Sequence, residues 1–103
     1  MIQEMKEKIA DVGNLCRKYQ VEELHLFGSA TAAASISEVG DLDFLVRFKS
    51  APPVEYAANF FGLMESLAAL FTMPVDLVEE IAIHNPYFKT AVDERKERIY
   101  RTA

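Results

Sequence analysis

The sequence predicts a single α/β (α+β) domain over residues 1–103, with a small mixed sheet of three to four strands backed by helices. Three observations predict this class. A chain of 103 residues has the usual length of one domain. Half of its residues are hydrophobic and 26% are charged, which is an ordinary globular composition. Segments with helical periodicity alternate with short runs of strand periodicity, which favours a sheet packed against helices.

The N-terminal part is predicted to form a helix followed by a strand. Apolar residues recur at steps of three and four over about residues 2–19, which predicts an amphipathic helix with Gly13 as its candidate bend. Residues 23–27 are predicted as a short strand that ends before Gly28. The small side chains of residues 31–34 favour a short helix.

The middle of the chain is predicted to form a strand and a long helix. Apolar and other side chains alternate over residues 41–48, which predicts a strand with one apolar face. Four residues form that predicted face: Leu42, Phe44, Val46 and Phe48. Residues 54–71 are apolar nearly all round, which predicts a largely buried helix.

The C-terminal part is predicted to add a strand, a helix and one ambiguous segment. Residues 74–78 are predicted as a third strand, with Pro74 at the first position, where proline is tolerated. Asn85 is followed by a proline, which predicts a capped helix over about residues 86–94. Residues 97–101 fit either a short helical extension or an edge strand.

The composition disfavours several classes of protein. The chain has 11 Lys and Arg against 16 Asp and Glu, and this net charge of −5 disfavours direct nucleic-acid binding, which needs a basic surface. The one cysteine, Cys16, cannot form an internal disulfide, and no apolar run approaches the roughly 20 residues of a membrane span. Residues 1–6 lack the features of a signal peptide. We therefore expect a cytoplasmic protein without membrane contact.

The first candidate site element is the turn after the first predicted strand. Gly28 allows the backbone to approach a ligand closely, and Ser29 adds a hydroxyl donor. The start of the following helix offers free amides and a partial positive charge, both suited to phosphate. A plain turn with a helix cap explains the same residues, so this motif alone is weak.

The second candidate site element is a pair of carboxylates at the head of an apolar strand. Asp41 and Asp43 stand two residues apart, so their side chains share a face, with Cα atoms roughly 6–7 Å apart. Aspartate is depleted in strands, and two charges 4 Å apart repel by about 4 kcal/mol at an effective dielectric of 20. A divalent cation would turn this repulsion into coordination. The alternative is a solvated strand face beside a turn.

The third candidate site element is Asp76, an acidic residue within another apolar strand. The alternative interpretation is that Asp76 is an edge-strand residue or a salt-bridge partner. If its strand pairs with that of Asp41 and Asp43, the three carboxylates can hold two cations together with nucleotide phosphates. Two such ions stabilise the entering and leaving oxygens of an in-line displacement. We expect Mg²⁺, with Mn²⁺ as the alternative.

The order of these elements resembles the polymerase-β-like nucleotidyltransferase superfamily. Gly28 and Ser29 are followed after eleven residues by Asp41 and Asp43, and then by Asp76 on a later strand. The chain length and the short C-terminal helix are similar to those of the minimal nucleotidyltransferases of bacteria and archaea. The resemblance implies that the Gly-Ser pair binds the triphosphate of ATP and that the three aspartates are catalytic metal ligands.

The same resemblance implies a partner protein. Minimal nucleotidyltransferases are commonly encoded beside an all-helical HEPN-type protein and act as the antitoxin of a toxin–antitoxin pair. Some transfer AMP from ATP to a tyrosine of that toxin. The resemblance therefore implies a metal-dependent protein adenylyltransferase that acts on a hydroxyl of a helical partner.

One departure from the pattern predicts weak activity. Thr31 to Ala34 stand where members of the family often carry Arg-Gly. Basic residues near the C-terminus are interpreted as a solvated face, from which one or two side chains can reach the phosphates instead: Lys89, Arg95, Lys96, Arg98 and Arg101. Two alternatives stay open: a degenerate binding module that neutralises its partner by contact, and a nucleotide-binding subunit of a larger transferase.

Overall fold

Four strands in the described part of the chain form one mixed sheet. The computed structural model describes residues 1–80 and 85–102. The strands are β1 (Val21–Phe27), β2 (Leu42–Phe48), β3 (Val75–Glu79) and β4 (Glu97–Arg101). Their order across the sheet is β3-β2-β1-β4. Strand β1 pairs antiparallel with β2 and β4, and β2 pairs parallel with β3. The predicted fold class is confirmed, and the ambiguous C-terminal segment is an edge strand.

Within residues 1–80 and 85–102, four α-helices accompany the sheet: α1 (Gln3–Glu7), α2 (Ile9–Lys18), α3 (Pro53–Phe71) and α4 (Pro86–Arg95). Helix α3 makes the crossover between the parallel strands β2 and β3. As predicted, Asn85 caps α4, since its side-chain oxygen accepts a hydrogen bond of 2.9 Å from the Tyr87 amide. No helix within the described ranges is long and apolar enough to cross a membrane.

The single helix predicted over residues 2–19 is wrong, because the chain breaks at Lys8 and not at Gly13. The break has a tertiary cause. The Glu4 carboxylate accepts hydrogen bonds from the Ile36 amide at 2.8 Å and the Ser35 hydroxyl at 3.0 Å. These bonds tie α1 to the loop before β2, and Lys8 departs from helical geometry at the end of α1.

The short helix predicted over residues 31–34 is also wrong. The structure instead has two single 3₁₀ turns, Gly28–Thr31 and Ile36–Glu38. The first is closed by a hydrogen bond of 2.8 Å from the Thr31 hydroxyl to the Gly28 carbonyl. Local side-chain bonds therefore tighten this loop into turns where residue size alone predicted a helix.

The hydrophobic core lies between one face of the sheet and helices α1, α2 and α3. The predicted apolar face of β2 is confirmed, because all four of its side chains are buried: Leu42, Phe44, Val46 and Phe48. On the opposite face His25 and Leu45 pair directly and are also buried, and Val92 is a buried side chain of α4. The sheet is therefore covered on both faces at its centre.

The prediction that α3 is largely buried is wrong. Only Leu63, Leu67 and Phe71 are buried, whereas Val54 is 84% exposed and Phe61 is 55% exposed. A helix that lies on a sheet buries one stripe of side chains, and the opposite side stays in solvent unless another element covers it. The all-round apolar pattern therefore overstated the burial of α3.

We expect opposite stability effects from alanine at two helical glycines. A Cβ at Gly62 would overlap the ring of Tyr19, which Ser66 holds through a hydroxyl contact of 3.2 Å, so Gly62→Ala should destabilise the fold by about 1–3 kcal/mol. A Cβ at Gly13 meets Arg17 atoms only at 3.5 Å and beyond, so Gly13→Ala should stabilise by up to about 1 kcal/mol. Urea denaturation measures both effects. Equal stabilisation by the two variants would contradict the Tyr19 packing.

Candidate active site

Strand register brings two of the three predicted aspartates side by side. Asp43 on β2 is the Cα partner of Asp76 on β3 in the parallel ladder. Directly paired residues on neighbouring strands point to the same face, and such strands lie about 4.8 Å apart. Asp41 immediately precedes β2 and lies two residues before Asp43. The structure therefore places all three aspartates at one end of the β2–β3 pair.

The three carboxylates differ in burial and interact electrostatically. Asp41 and Asp76 are exposed, whereas Asp43 between them is half-buried. Burial raises the pKa of the Asp43 carboxyl above its usual value, and the negative charges of Asp41 and Asp76 raise it further. The charged form of Asp43 is thus disfavoured by its surroundings, which is the electrostatic condition that a bound cation would relieve.

The Gly-Ser turn lies directly against this acidic group. Phe27, the last residue of β1, is the strand partner of Asp43, so Gly28 follows at the same end of the sheet. Gly28 has φ +75°, and a Cβ there would lie 2.5 Å from the Asp43 Oδ2. Both the left-handed backbone and the contact with the carboxylate therefore require glycine at this position.

The turn differs from the predicted helix N-terminus. It is one 3₁₀ turn of four residues, Gly28–Thr31, so it lacks the summed dipole of a longer helix. The side chain of Ser29 is exposed. Backbone approach at Gly28 and the Ser29 hydroxyl remain the features of this turn that suit a phosphate.

A cavity of about 730 Å³ opens between the turn and the end of α4. Eight of the residues that the structure describes line it: Gly28, Ser29, Thr31, Ala32, Glu94, Arg95, Lys96 and Glu97. The three aspartates are not among these lining residues, but Gly28 lies close to the Asp43 carboxylate and so links the cavity to the acidic group. The contribution of Glu94 to the cavity wall was not predicted from the sequence, because no periodicity or motif tells where the end of α4 packs.

The donor set of the acidic group fits a hard divalent cation. Carboxylate oxygens are the ligands that Mg²⁺ and Mn²⁺ prefer, and Asp41, Asp43 and Asp76 offer six of them on adjacent strands. Across residues 1–80 and 85–102, no three acidic, histidine or cysteine side chains already converge in a metal-binding arrangement. The three aspartates are therefore neighbours at one end of the β2–β3 pair whose carboxylates do not form a converged ligand set in this structure.

The chain is similar to known nucleotidyltransferases in sequence and in fold. The Nucleotidyltransferase domain family matches residues 12–99. A Methanocaldococcus jannaschii protein named as a protein adenylyltransferase is 40% identical over 80 residues, which is 78% of each chain. A solved structure named as a minimal nucleotidyltransferase matches with a TM-score of 0.70 and 23% identity over 94% of this chain and 95% of that one.

A second solved structure is similar in fold. It comes from a Shewanella oneidensis complex of an MNT antitoxin with a tri-AMPylated HEPN toxin. The match has a TM-score of 0.63 and 18% identity, over 95% of this chain and 73% of that chain. Both structural likenesses confirm the fold that the four-stranded sheet and its helices indicated.

We expect Asp43→Asn to stabilise the fold at neutral pH in metal-free buffer. The folded-state pKa of Asp43 is raised, so its ionisation costs stability above that pKa, and this cost disappears below the unfolded pKa of about 3.9. Urea denaturation with a chelator should show the variant more stable than wild type at pH 7, with the difference shrinking toward pH 4. The matched control is Glu65→Gln, an exposed carboxylate on α3. A destabilised Asp43→Asn protein at pH 7 would contradict the repulsion described above.

Proposed function

The chain belongs to the nucleotidyltransferase domain family, and we propose that it transfers AMP from ATP to a hydroxyl group of a partner protein. The observation that carries this proposal is the parallel pairing of Asp43 with Asp76, with Gly28 in contact with the Asp43 carboxylate. This arrangement supports the proposal because carboxylates, the ligands that Mg²⁺ prefers, lie beside a turn that a phosphate chain can approach.

Each site residue has a proposed role in binding. Asp41, Asp43 and Asp76 hold one or two divalent cations, Mg²⁺ in preference, which when bound supply positive charge at the entering and leaving oxygens. The Gly28 backbone admits the triphosphate, and the Ser29 hydroxyl donates a hydrogen bond to it. These contacts orient the α-phosphate for attack.

The proposed step is an in-line displacement at the α-phosphorus of ATP. The acceptor hydroxyl oxygen forms a bond to that phosphorus as the bond to the bridging oxygen of the β-phosphate breaks. The hydroxyl proton passes to solvent, and pyrophosphate leaves with the electron pair of the broken bond. Asp76 is exposed at the outer strand β3, so it faces the solvent side from which an acceptor protein can arrive.

Two of the similar proteins support the choice of nucleotide and acceptor. The archaeal relative is named as a protein adenylyltransferase, which favours AMP as the transferred group. The Shewanella complex contains an AMPylated HEPN toxin with its MNT antitoxin, which favours a helical HEPN-type protein as acceptor and an antitoxin role for this chain. AMP transfer and pairing with a HEPN toxin are properties of those similar proteins, and we propose the same for this chain.

A second candidate function is a binding module that neutralises its partner by contact without catalysis. One observation favours it: residues 31–34 supply no basic side chain to the turn.

Incubation with labelled ATP, Mg²⁺ and a co-purified partner separates the two functions. Label on the partner supports transfer, whereas a tight complex without label supports the module.

We expect Asp43→Asn to reduce AMP transfer by at least about 100-fold. The substitution removes a carboxylate that is proposed to bind the divalent cation, and the charge of that cation would stabilise the phosphate during transfer. Labelled ATP measures the transfer, and circular dichroism checks that the variant is folded. Chelation of divalent ions should stop transfer by the wild type, and added Mg²⁺ should restore it.

The matched control is Glu65→Gln, which removes an equal charge from the exposed side of α3 and should transfer AMP at the wild-type rate. Full Mg²⁺-dependent activity in Asp43→Asn would show that these aspartates are not the catalytic group.

A further inference from the structure

We propose that Arg95, the last residue of α4, binds the β- and γ-phosphates of the nucleotide in the cavity beside Gly28. This inference rests on the proposed function, since it names a phosphate-binding residue of the same site. Of the basic residues near the C-terminus, it selects Arg95 as the one that contacts the phosphates. The cavity volume of about 730 Å³ lies within the usual range for small-molecule sites.

Arg95 lies next to the turn on two sides. It lines the large cavity together with Gly28 and Ser29, and it lines a smaller recess with Phe27, Gly28 and Val92. Gly28 in turn contacts the Asp43 carboxylate. A phosphate chain that runs over Gly28 from the aspartates therefore reaches Arg95 at its far end, which is the end occupied by the leaving pyrophosphate.

Of the two basic side chains in this cavity wall, Arg95 is the one that forms no ion pair within the described part of the chain. Lys96, the other basic residue of the cavity, forms an ion pair of 3.0 Å with Asp93, which also binds Lys89 at 3.0 Å. Arg95 is exposed and forms no ion pair or hydrogen bond with any residue of 1–80 or 85–102. Its guanidinium is free to form the two parallel hydrogen bonds with which arginine recognises phosphate.

Among the described residues of the cavity wall, two acidic and two basic side chains balance in charge, so the loss of one charge should change the affinity of the wall for anions. Glu94 and Glu97 line the same cavity and offset the charges of Arg95 and Lys96. Removing the Arg95 charge should leave a wall that repels polyphosphate. Removing the Glu94 charge should have the opposite effect, which provides a reciprocal test within the same cavity.

Isothermal titration of the full chain with Mg²⁺ and either ATP or inorganic tripolyphosphate tests the proposal. Arg95→Ala should weaken the binding of both ligands by about 10- to 100-fold, the usual effect of losing a charged hydrogen-bonding partner. Arg95→Lys should give an intermediate loss, because it keeps the charge without the two-pronged geometry. Glu94→Gln should tighten binding.

The matched control is Arg101→Ala, which removes an equal charge from an exposed position on β4 outside the cavity wall and should bind as wild type does. Wild-type affinity in Arg95→Ala, an equal loss in Arg101→Ala, or no binding of tripolyphosphate by the wild type would each overturn the inference. If tripolyphosphate binds through Arg95 but AMP reaches no partner protein, the phosphate site stands and the proposed transfer fails.

Discussion

The parallel pairing of β2 with β3 is the constraint on which the rest of the site depends. Side chains alternate along a strand, so a register that buries Leu42, Phe44 and Leu77 in the core turns Asp43 and Asp76 to the other face as direct partners. A shift of one residue would move a whole set of side chains across the sheet. The apolar core therefore sets the positions of the acidic pair.

This arrangement costs stability that the rest of the fold must offset. Asp43 is half-buried between two other carboxylates, and its pKa is raised by burial and by their charges. Gly28 leaves room for the Asp43 carboxylate at a backbone conformation that other residues adopt only with strain. Repulsion and local strain at one end of a well-packed sheet are typical of a site kept for binding rather than for stability.

Local sequence patterns predicted the strands and the shared face of Asp41 and Asp43, whereas features set by tertiary contacts were missed. Alternation over residues 41–48 was sufficient to predict the two faces of β2, and the spacing of Asp41 and Asp43 followed from it. The break at Lys8 depends on bonds from Glu4 to a distant loop, which no local pattern contains. The position of Arg95 on the cavity wall depends on where the end of α4 packs.

The most direct test of this account is a crystal structure of the protein with Mn²⁺ and a non-hydrolysable ATP analogue, with anomalous scattering used to locate the metal. One or two Mn²⁺ ions should lie between Asp41, Asp43 and Asp76, with the phosphate chain passing over Gly28. An ion held elsewhere, or a nucleotide bound with the three carboxylates free of metal, would contradict the central claim.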